Sequence, residues 1–315
     1  MATTRDNMGR AVAAPVSTSA AMRREEAQPG QRAITPGRVV FIVALIGVSI
    51  VFLYPFVWLV SASLKTRETV FNNQLIPDPA HWGNYGEIWS RAPIAEWLFN
   101  SVTVSILAAV TVTLTSALVA FGFAYFRFPF RNVLFGLVLA SMMLPGAVMM
   151  VPQFLIWKTV GEVAPPLGLN TLTPLWAMNL FGSAFYIFLL RQFFLGLPRE
   201  VFEAARVDGA NYFTMWRKIA IPLTLPALIV VFIFELKASW TDLMKPLIYI
   251  RDINLFTLPR GLQLLVSQFD ITAGGEGEMQ LLMAAAVIVT LPMIVVFFLG
   301  QRYFVEGIAT TGRKG

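Results

Sequence analysis

Apolar residues run along this chain in six long blocks, separated by polar segments marked with proline and glycine. The blocks cover residues 39–64, 102–125, 133–156, 172–190, 223–240 and 281–299. Each reaches or approaches the ~20 residues a helix needs to cross ~30 Å of hydrocarbon. Lipid offers a backbone no hydrogen-bond partners, so such blocks form helices rather than open strands. The pattern predicts an all-α integral membrane protein with six transmembrane helices. Six buried helices in a large soluble protein would need far more polar sequence to cover them. Of the 315 residues, 57% are hydrophobic and 13% charged, about half the charged share of a soluble domain.

The breaks between blocks carry structure of their own. Residues 65–98 form a largely polar loop with Pro77, Pro79 and Pro93 as breakers. The second helix is expected to begin near Asn100 and Ser101 and to end at a basic turn, 127–131, that contains Pro129. Pro145 and Pro152 interrupt the third helix, which suits a kinked, packed bundle better than a rod bathed in lipid. Pro165, Pro166 and Gly168 mark a short loop before the fourth helix.

Charge sets the orientation. With the N-terminus placed inside, sixteen of the 24 Lys and Arg fall in inside segments and seven in outside loops, with Lys237 inside a span. This positive-inside bias predicts a bacterial cytoplasmic (inner) membrane protein with both termini cytoplasmic. Residues 1–37 mix Ala, Thr, Ser, Arg, Glu and Pro without apolar periodicity and read as a disordered tail. The membrane domain is then 38–315. Ser61, Ala62 and Ser63 resemble a signal-peptide cleavage site, but the apolar run before them is far longer than a signal core, so the first helix is expected to be retained. The net charge of +6 follows the membrane and includes no basic run with interleaved aromatics, so lipid rather than nucleic acid is the expected partner. There are no cysteines, and the single His81 has no neighbour of metal-ligating type, so no disulfide or metal site is expected.

The inside loop 197–221 is the most informative segment. Pro198 suits the first turn of a helix, and Glu200 and Glu203 suit the dipole at its start. Gly209 is placed to end that helix in the left-handed conformation, and Asn211 to cap a second short helix through Ile219, with Pro222 opening the next span. An amphipathic loop lying on the bilayer is one reading. Ala204 and Ala205 beside Glu203 are poor lipid anchors, which need bulky apolar side chains. Small side chains instead let a helix backbone approach a cleft on a partner protein.

Glu203-Ala204-Ala205, then Asp208-Gly209-Ala210, then Ile219, Pro222 and Pro226 resemble the EAA motif of permease subunits in bacterial ATP-binding-cassette importers. The likeness extends over the chain after the tail, through Tyr54-Pro55, Ser63-Leu64-Lys65, Arg127-Phe128-Pro129-Phe130-Arg131, Leu258-Pro259-Gly261-Leu262, Gln301-Arg302-Tyr303-Phe304-Val305 and the ending Gly312-Arg313-Lys314-Gly315. The pattern is similar to the carbohydrate branch, and within it to the second, six-helix permease of the maltose transporter. The resemblance implies a type I importer permease fold and a non-catalytic subunit. A sister permease would form the other half of the pathway. Two copies of a cytoplasmic ATPase would bind ATP and Mg, so this chain needs no cofactor. A substrate-binding protein would deliver a sugar or related solute from outside. The EAA residues Glu203, Ala204, Ala205, Asp208, Gly209 and Ala210 would then be the ATPase-coupling helix, with Arg313, Lys314 and Gly315 touching the ATPase as well. The loop holding Ile271, Gly274, Gly275, Glu276 and Glu278 would contact the binding protein.

Other classes leave traces that can be checked against the residues. Gly307 and Gly312 have the spacing of a phosphate-binding loop, but Arg313 follows and no helix can, so no ATP site is expected here. The alternative of a secondary, ion-coupled transporter would call for paired halves and midplane carboxylates, and no internal duplication is found. Glu235 and Lys237 are the ionisable residues inside an apolar block, about 200° apart on a helix and thus unable to pair directly. Glu235, with Trp240, Thr241 and Asp242 at the end of the same block, is a candidate for lining the translocation pathway. The cargo stays open among sugars, sugar alcohols, glycosylated lipid precursors and glycerol phosphate esters.

Overall fold

The computed structural model describes residues 36–269 and 277–311, with side chains as far as Gln301. Residues 1–35, Ile271, Gly274, Gly275, Glu276, Arg313, Lys314 and Gly315 lie outside the described residues. The chain divides into residues 1–54 and 55–315. In the first unit the described residues belong to helix α1, Pro36–Ser63, and are exposed throughout. A helix that is apolar on all sides, as this one is, has no solvated face to offer water.

The second unit is built on helix α3, Ile94–Tyr125. It begins earlier than the apolar block does, because the amphipathic turn at Ile94 and Trp97 is buried by protein. Ser101, Ser105, Ala109, Thr113 and Ala117 recur every fourth residue, with Ala108, Val112, Ser116 and Ala120 beside them, and all are buried. Rows of small side chains let helix backbones approach closely where lipid supplies no hydrophobic drive between helices. Two later helices use that surface, α7 (Ala184–Leu195) and α11 (Leu225–Trp240). The last helix, α14 (Met279–Thr311), packs on α11.

Four helical segments are long and apolar enough to cross a membrane: Pro36–Ser63, Ile94–Tyr125, Thr173–Leu195 and Met279–Gln301. The other two predicted spans are bent pairs. Helices α4 (Arg131–Ser141) and α5 (Gly146–Val163) meet at 97°, at the break that Pro145 caps, whereas Pro152 is accommodated within α5. Tyr212–Leu223 meets α11 at 81°. The polar loop 65–98 contains a helix not foreseen, α2 (Gly83–Arg91), which packs on α14. Helix α13 (Leu258–Phe269) also escaped prediction, since its amphipathic pattern is too polar for a span.

The fourth span is interrupted within its own length. It opens as α6 (Thr173–Trp176), tightens into a 3-10 turn at Ala177–Phe181, and restarts as α7 after Gly182 at φ +76°. Freed backbone groups must be satisfied by neighbouring protein there. The Asn179 carbonyl accepts from the Thr115 hydroxyl (3.2 Å), and the Ser183 amide donates to the Ser116 hydroxyl (3.0 Å).

The N-terminal turn of α3 anchors the segment that leads into α13. Trp97 Nε1 donates to the Ile253 carbonyl at 2.7 Å, Asn100 Nδ2 to the Asn254 and Phe256 carbonyls at 2.7 and 3.0 Å, and the Leu258 amide to the Ser101 hydroxyl at 2.7 Å. Gly261 on α13 lies so close to the Trp97 ring that a Cβ there would overlap it. Gly261→Val is therefore predicted to cost about 1–3 kcal/mol or more by overpacking. Gly136→Ala, in α4 with open space around the new Cβ, should gain about 0.5–1 kcal/mol from helix propensity. Thermal unfolding in detergent separates the two, and equal melting temperatures would refute the packing argument.

Candidate functional site

The expected coupling loop forms a bent helix pair. Helix α8 spans Arg199–Val207. Pro198 takes the N-cap, one position before the first turn predicted for it, with extended backbone at φ −63°, ψ 123°. Glu200 lies in the first turn, where the dipole favours a carboxylate. The helix ends in a Schellman motif: the Ala210 amide donates to the Ala205 carbonyl (2.9 Å) and the Gly209 amide to the Arg206 carbonyl (3.1 Å). That closure requires the left-handed conformation at Gly209, which sits at φ +83°. Asn211 then caps α9 (Tyr212–Met215), its Oδ1 accepting from the Thr214 amide at 2.8 Å. The second short helix continues as a π-helical turn, Trp216–Ala220, and α10 (Ile221–Leu223) holds Pro222.

Burial divides the faces of α8. Phe202 is buried against Phe121, Tyr125 and Phe194, with ring centroids 6.0 Å from Phe121 and 5.5 Å from Tyr125. Ala205 is half-buried on the same side, and Ala210 joins it against the core. At about 100° per residue, Glu200, Ala204 and Val207 share the opposite face, and each is exposed, Val207 at 88%. Asp208 and Glu203 are exposed as well. The expected Ala204–Ala205 pair is thus split, one residue facing outward and the other toward the body. The periodicity could have shown this; Phe202 was the signal missed.

The pathway candidates occupy different environments. Glu235 is half-buried on α11, and its Oε1 accepts from Asn179 Nδ2 at 2.6 Å; that same nitrogen lies 3.3 Å from the Ala108 carbonyl. The carboxylate thus joins α11 to the interrupted fourth span and to α3. Trp240 is buried in the core at the other end of α11, and Thr241 is exposed. Asp242 caps α12 (Met244–Tyr249), accepting from the Met244 and Lys245 amides at 3.0 and 3.2 Å, and pairs with Lys245 Nζ at 3.3 Å. Burial, and secondarily the Asp242 charge, push the nearby Tyr249 phenol above its ordinary pKa. Of the residues expected to contact the binding protein, Glu278 is the one that is described. Its Oε1 meets Arg91 Nη2 at 3.4 Å, next to Glu87 at 3.3 Å from the same nitrogen. Among the described residues no group of His, Cys, Asp and Glu has metal-binding geometry.

The chain is similar to known proteins over most of its length. The family described as binding-protein-dependent transport system inner membrane component matches residues 113–310. The arabinooligosaccharides transport system permease protein AraQ of Bacillus subtilis (strain 168) is 32% identical over 272 residues, covering 85% of this chain and 92% of the relative. The sn-glycerol-3-phosphate transport system permease protein UgpE of Yersinia pestis bv. Antiqua (strain Antiqua) is 33% identical over 275 residues, covering 85% and 94%. A solved chain from a bacterial ABC transporter involved in import of the acidic polysaccharide alginate superposes with a TM-score of 0.73 at 22% identity, covering 87% of this chain and 99% of that one. A second, from an alginate transporter in complex with an alginate pentasaccharide-bound periplasmic protein, gives 0.61 at 12% identity, covering 84% and 93%.

A Cβ at Gly209 would meet open space, so any substitution there is resisted by backbone conformation alone. Gly209→Val should destabilise the bend by about 1–2 kcal/mol, and Gly209→Asn by less, since Asn visits the left-handed region more readily. Limited proteolysis of the loop reports the difference; equal cleavage of the two variants would contradict it.

Proposed function

Because this chain belongs to the binding-protein-dependent transport system inner membrane components, we propose that α8 and the Gly209 bend are the element through which it receives the work of ATP hydrolysis. The protein is a multi-pass inner-membrane permease subunit of an ATP-binding-cassette importer, and a non-catalytic one. The observation that carries the coupling reading is the division of α8. Phe202 fixes one face to the end of α3, while the small Ala204 and its neighbours Glu200 and Val207 stand free on the other. A force on that free face reaches α3, and with it the helices packed along its small-residue rows, through a rigid aromatic contact rather than a flexible loop.

In this reading both termini and α8 are cytoplasmic, and residues 1–37 are a tail preceding the membrane domain. A sister permease completes the pathway, two ATPase copies lie beneath, and an extracytoplasmic binding protein docks above. Glu278, held by Arg91, belongs to the docking face, together with the loop that precedes it. Glu235, Trp240, Thr241 and Asp242 lie toward the pathway, with Glu235 acting through its bond to Asn179 and Asp242 through its cap on α12. The C-terminal Arg313, Lys314 and Gly315 are a second ATPase contact. The names of relatives point to arabinooligosaccharides and sn-glycerol-3-phosphate, so the cargo class is a polyhydroxylated solute, a sugar or a polyol phosphate. ATP and Mg are held by the ATPase.

The test is the assembled importer in liposomes with its binding protein. Ala204→Trp is expected to abolish binding-protein-stimulated ATP hydrolysis and to weaken co-purification of the ATPase, with the permease still melting as wild type. Ala205→Trp, facing the body, should lower the melting temperature as well. Wild-type coupling in Ala204→Trp would sink the assignment of α8.

A further inference from the structure

A flank of α8, between its buried and exposed faces and carrying Arg199, Glu203 and Arg206, borders a cavity of about 500 Å3. Arg199 and Arg206 line it from α8, and Arg127 and Arg131 from the turn between α3 and α4. Against these four guanidinium groups stands one carboxylate, Glu203. Among the described residues none of the four arginines, nor Glu203, forms an ion pair; the pairs found there involve Arg91, Glu87, Glu278, Lys245 and Asp242. Two of the arginines are held in place by other means. Arg131 Nη1 donates to the Phe126 carbonyl at 3.3 Å, and the Arg206 guanidinium lies 5.8 Å from the centre of the Tyr212 ring. A preformed cluster of unpaired guanidinium groups is a strong anion receptor.

Position argues for the source of the anion. The cavity lies where two spans end, α3 at Tyr125 and the Thr173–Leu195 segment at Leu195, and both terminal residues line it. The buried rings of Phe121 and Phe194 line it too. Between Arg127 and Arg131 the turn exposes Phe128 and Phe130, Phe130 to 76% and with a left-handed backbone at φ 59°. Apolar rings held out beside arginines at the end of a span match the headgroup layer, where acyl chain and phosphate meet. A dissolved anion would have no use for the apolar lining.

We propose that this cavity binds the phosphate of an anionic phospholipid of the inner leaflet. A lipid there touches α8, the α3–α4 turn and the end of α7 at once, so it would brace the coupling element from a flank, between its ATPase face and its body face. The proposal rests on the cytoplasmic placement of α8 given above.

The chain has no cysteine, so Leu195→Cys, at the cavity lining and 45% exposed, gives a single reporter in this subunit. In the assembled importer, reconstituted into nanodiscs of phosphatidylcholine with or without phosphatidylglycerol, phosphatidylglycerol should slow maleimide labelling at this position by at least about tenfold. Arg127→Gln with Arg131→Gln should remove that protection, and Arg127→Lys with Arg131→Lys should restore part of it, each with the wild-type melting temperature confirming the fold. Retention of phosphatidylglycerol in native mass spectra should follow the same order. Protection by inorganic phosphate alone to the same degree, protection that needs the ATPase but not the lipid, or labelling indifferent to lipid would each overturn the lipid site and leave the topology standing. Labelling by an impermeant maleimide added outside intact cells would overturn the topology and the ATPase docking together with it.

Discussion

Inside a bilayer, helix association cannot draw on the hydrophobic effect, because lipid tails are as apolar as the helices they surround. What remains is close contact of backbones, and in this protein α3 supplies it. Its two rows of Ser, Ala, Thr and Val are buried almost along their whole length, and both α7 and α11 lie against them. A bulky residue at Ala109 or Ala117 would push a neighbouring helix outward. The two ends of α3 position further elements: the start of α13 is held by Trp97 and Asn100 at one end, and α8 by Phe121 and Tyr125 at the other.

The same low-dielectric setting explains the polar stitches at depth. The fourth span is interrupted between Ala177 and Gly182, which would be untenable facing lipid. Thr115 and Ser116 on α3 satisfy it on one side, and Asn179 turns its amide toward Glu235 on the other. A carboxylate in this place is costly to bury and so is tied to function or to a fixed partner; here the partner is evident. The interrupted span, α3 and α11 are thereby joined through directional bonds as well as packing, and a motion of one is transmitted to the others.

The end of the bundle that carries α8 repeats this logic in a more polar setting. Helix α8 is short, with a mixed surface, and does not form a stable unit by itself. A Schellman closure at one end, a proline N-cap at the other and the Phe202 anchor in the middle make it rigid. Its remaining surfaces differ sharply: an exposed face of Glu200, Ala204 and Val207, and an arginine-bearing flank lining the cavity at the end of two spans.

The six apolar blocks, their order and the turn chemistry of 198–211 were legible in the sequence because each depends on local causes: hydrophobic length, proline, and a glycine placed where a left-handed residue is required. Membership in the permease family was legible for the same reason, its spaced motif being local. The sharp bends were marked by Pro145 and Pro222, but not their angles, which depend on what packs beyond them. Helices α2 and α13 were overlooked because their faces are decided by α14 and α3, not by their own composition. Within residues 199–207 helical periodicity sets Ala205 beside Phe202 and Ala204 away from it; that the Phe202 side is the one facing the body is decided by its burial against Phe121. Likewise, a partner of Glu235 lies 56 residues away in sequence at Asn179, and four arginines from two separate segments share one cavity only once α3 and α7 have packed. Local chemistry specified the elements. Close packing of backbones along α3 decided which side chains meet.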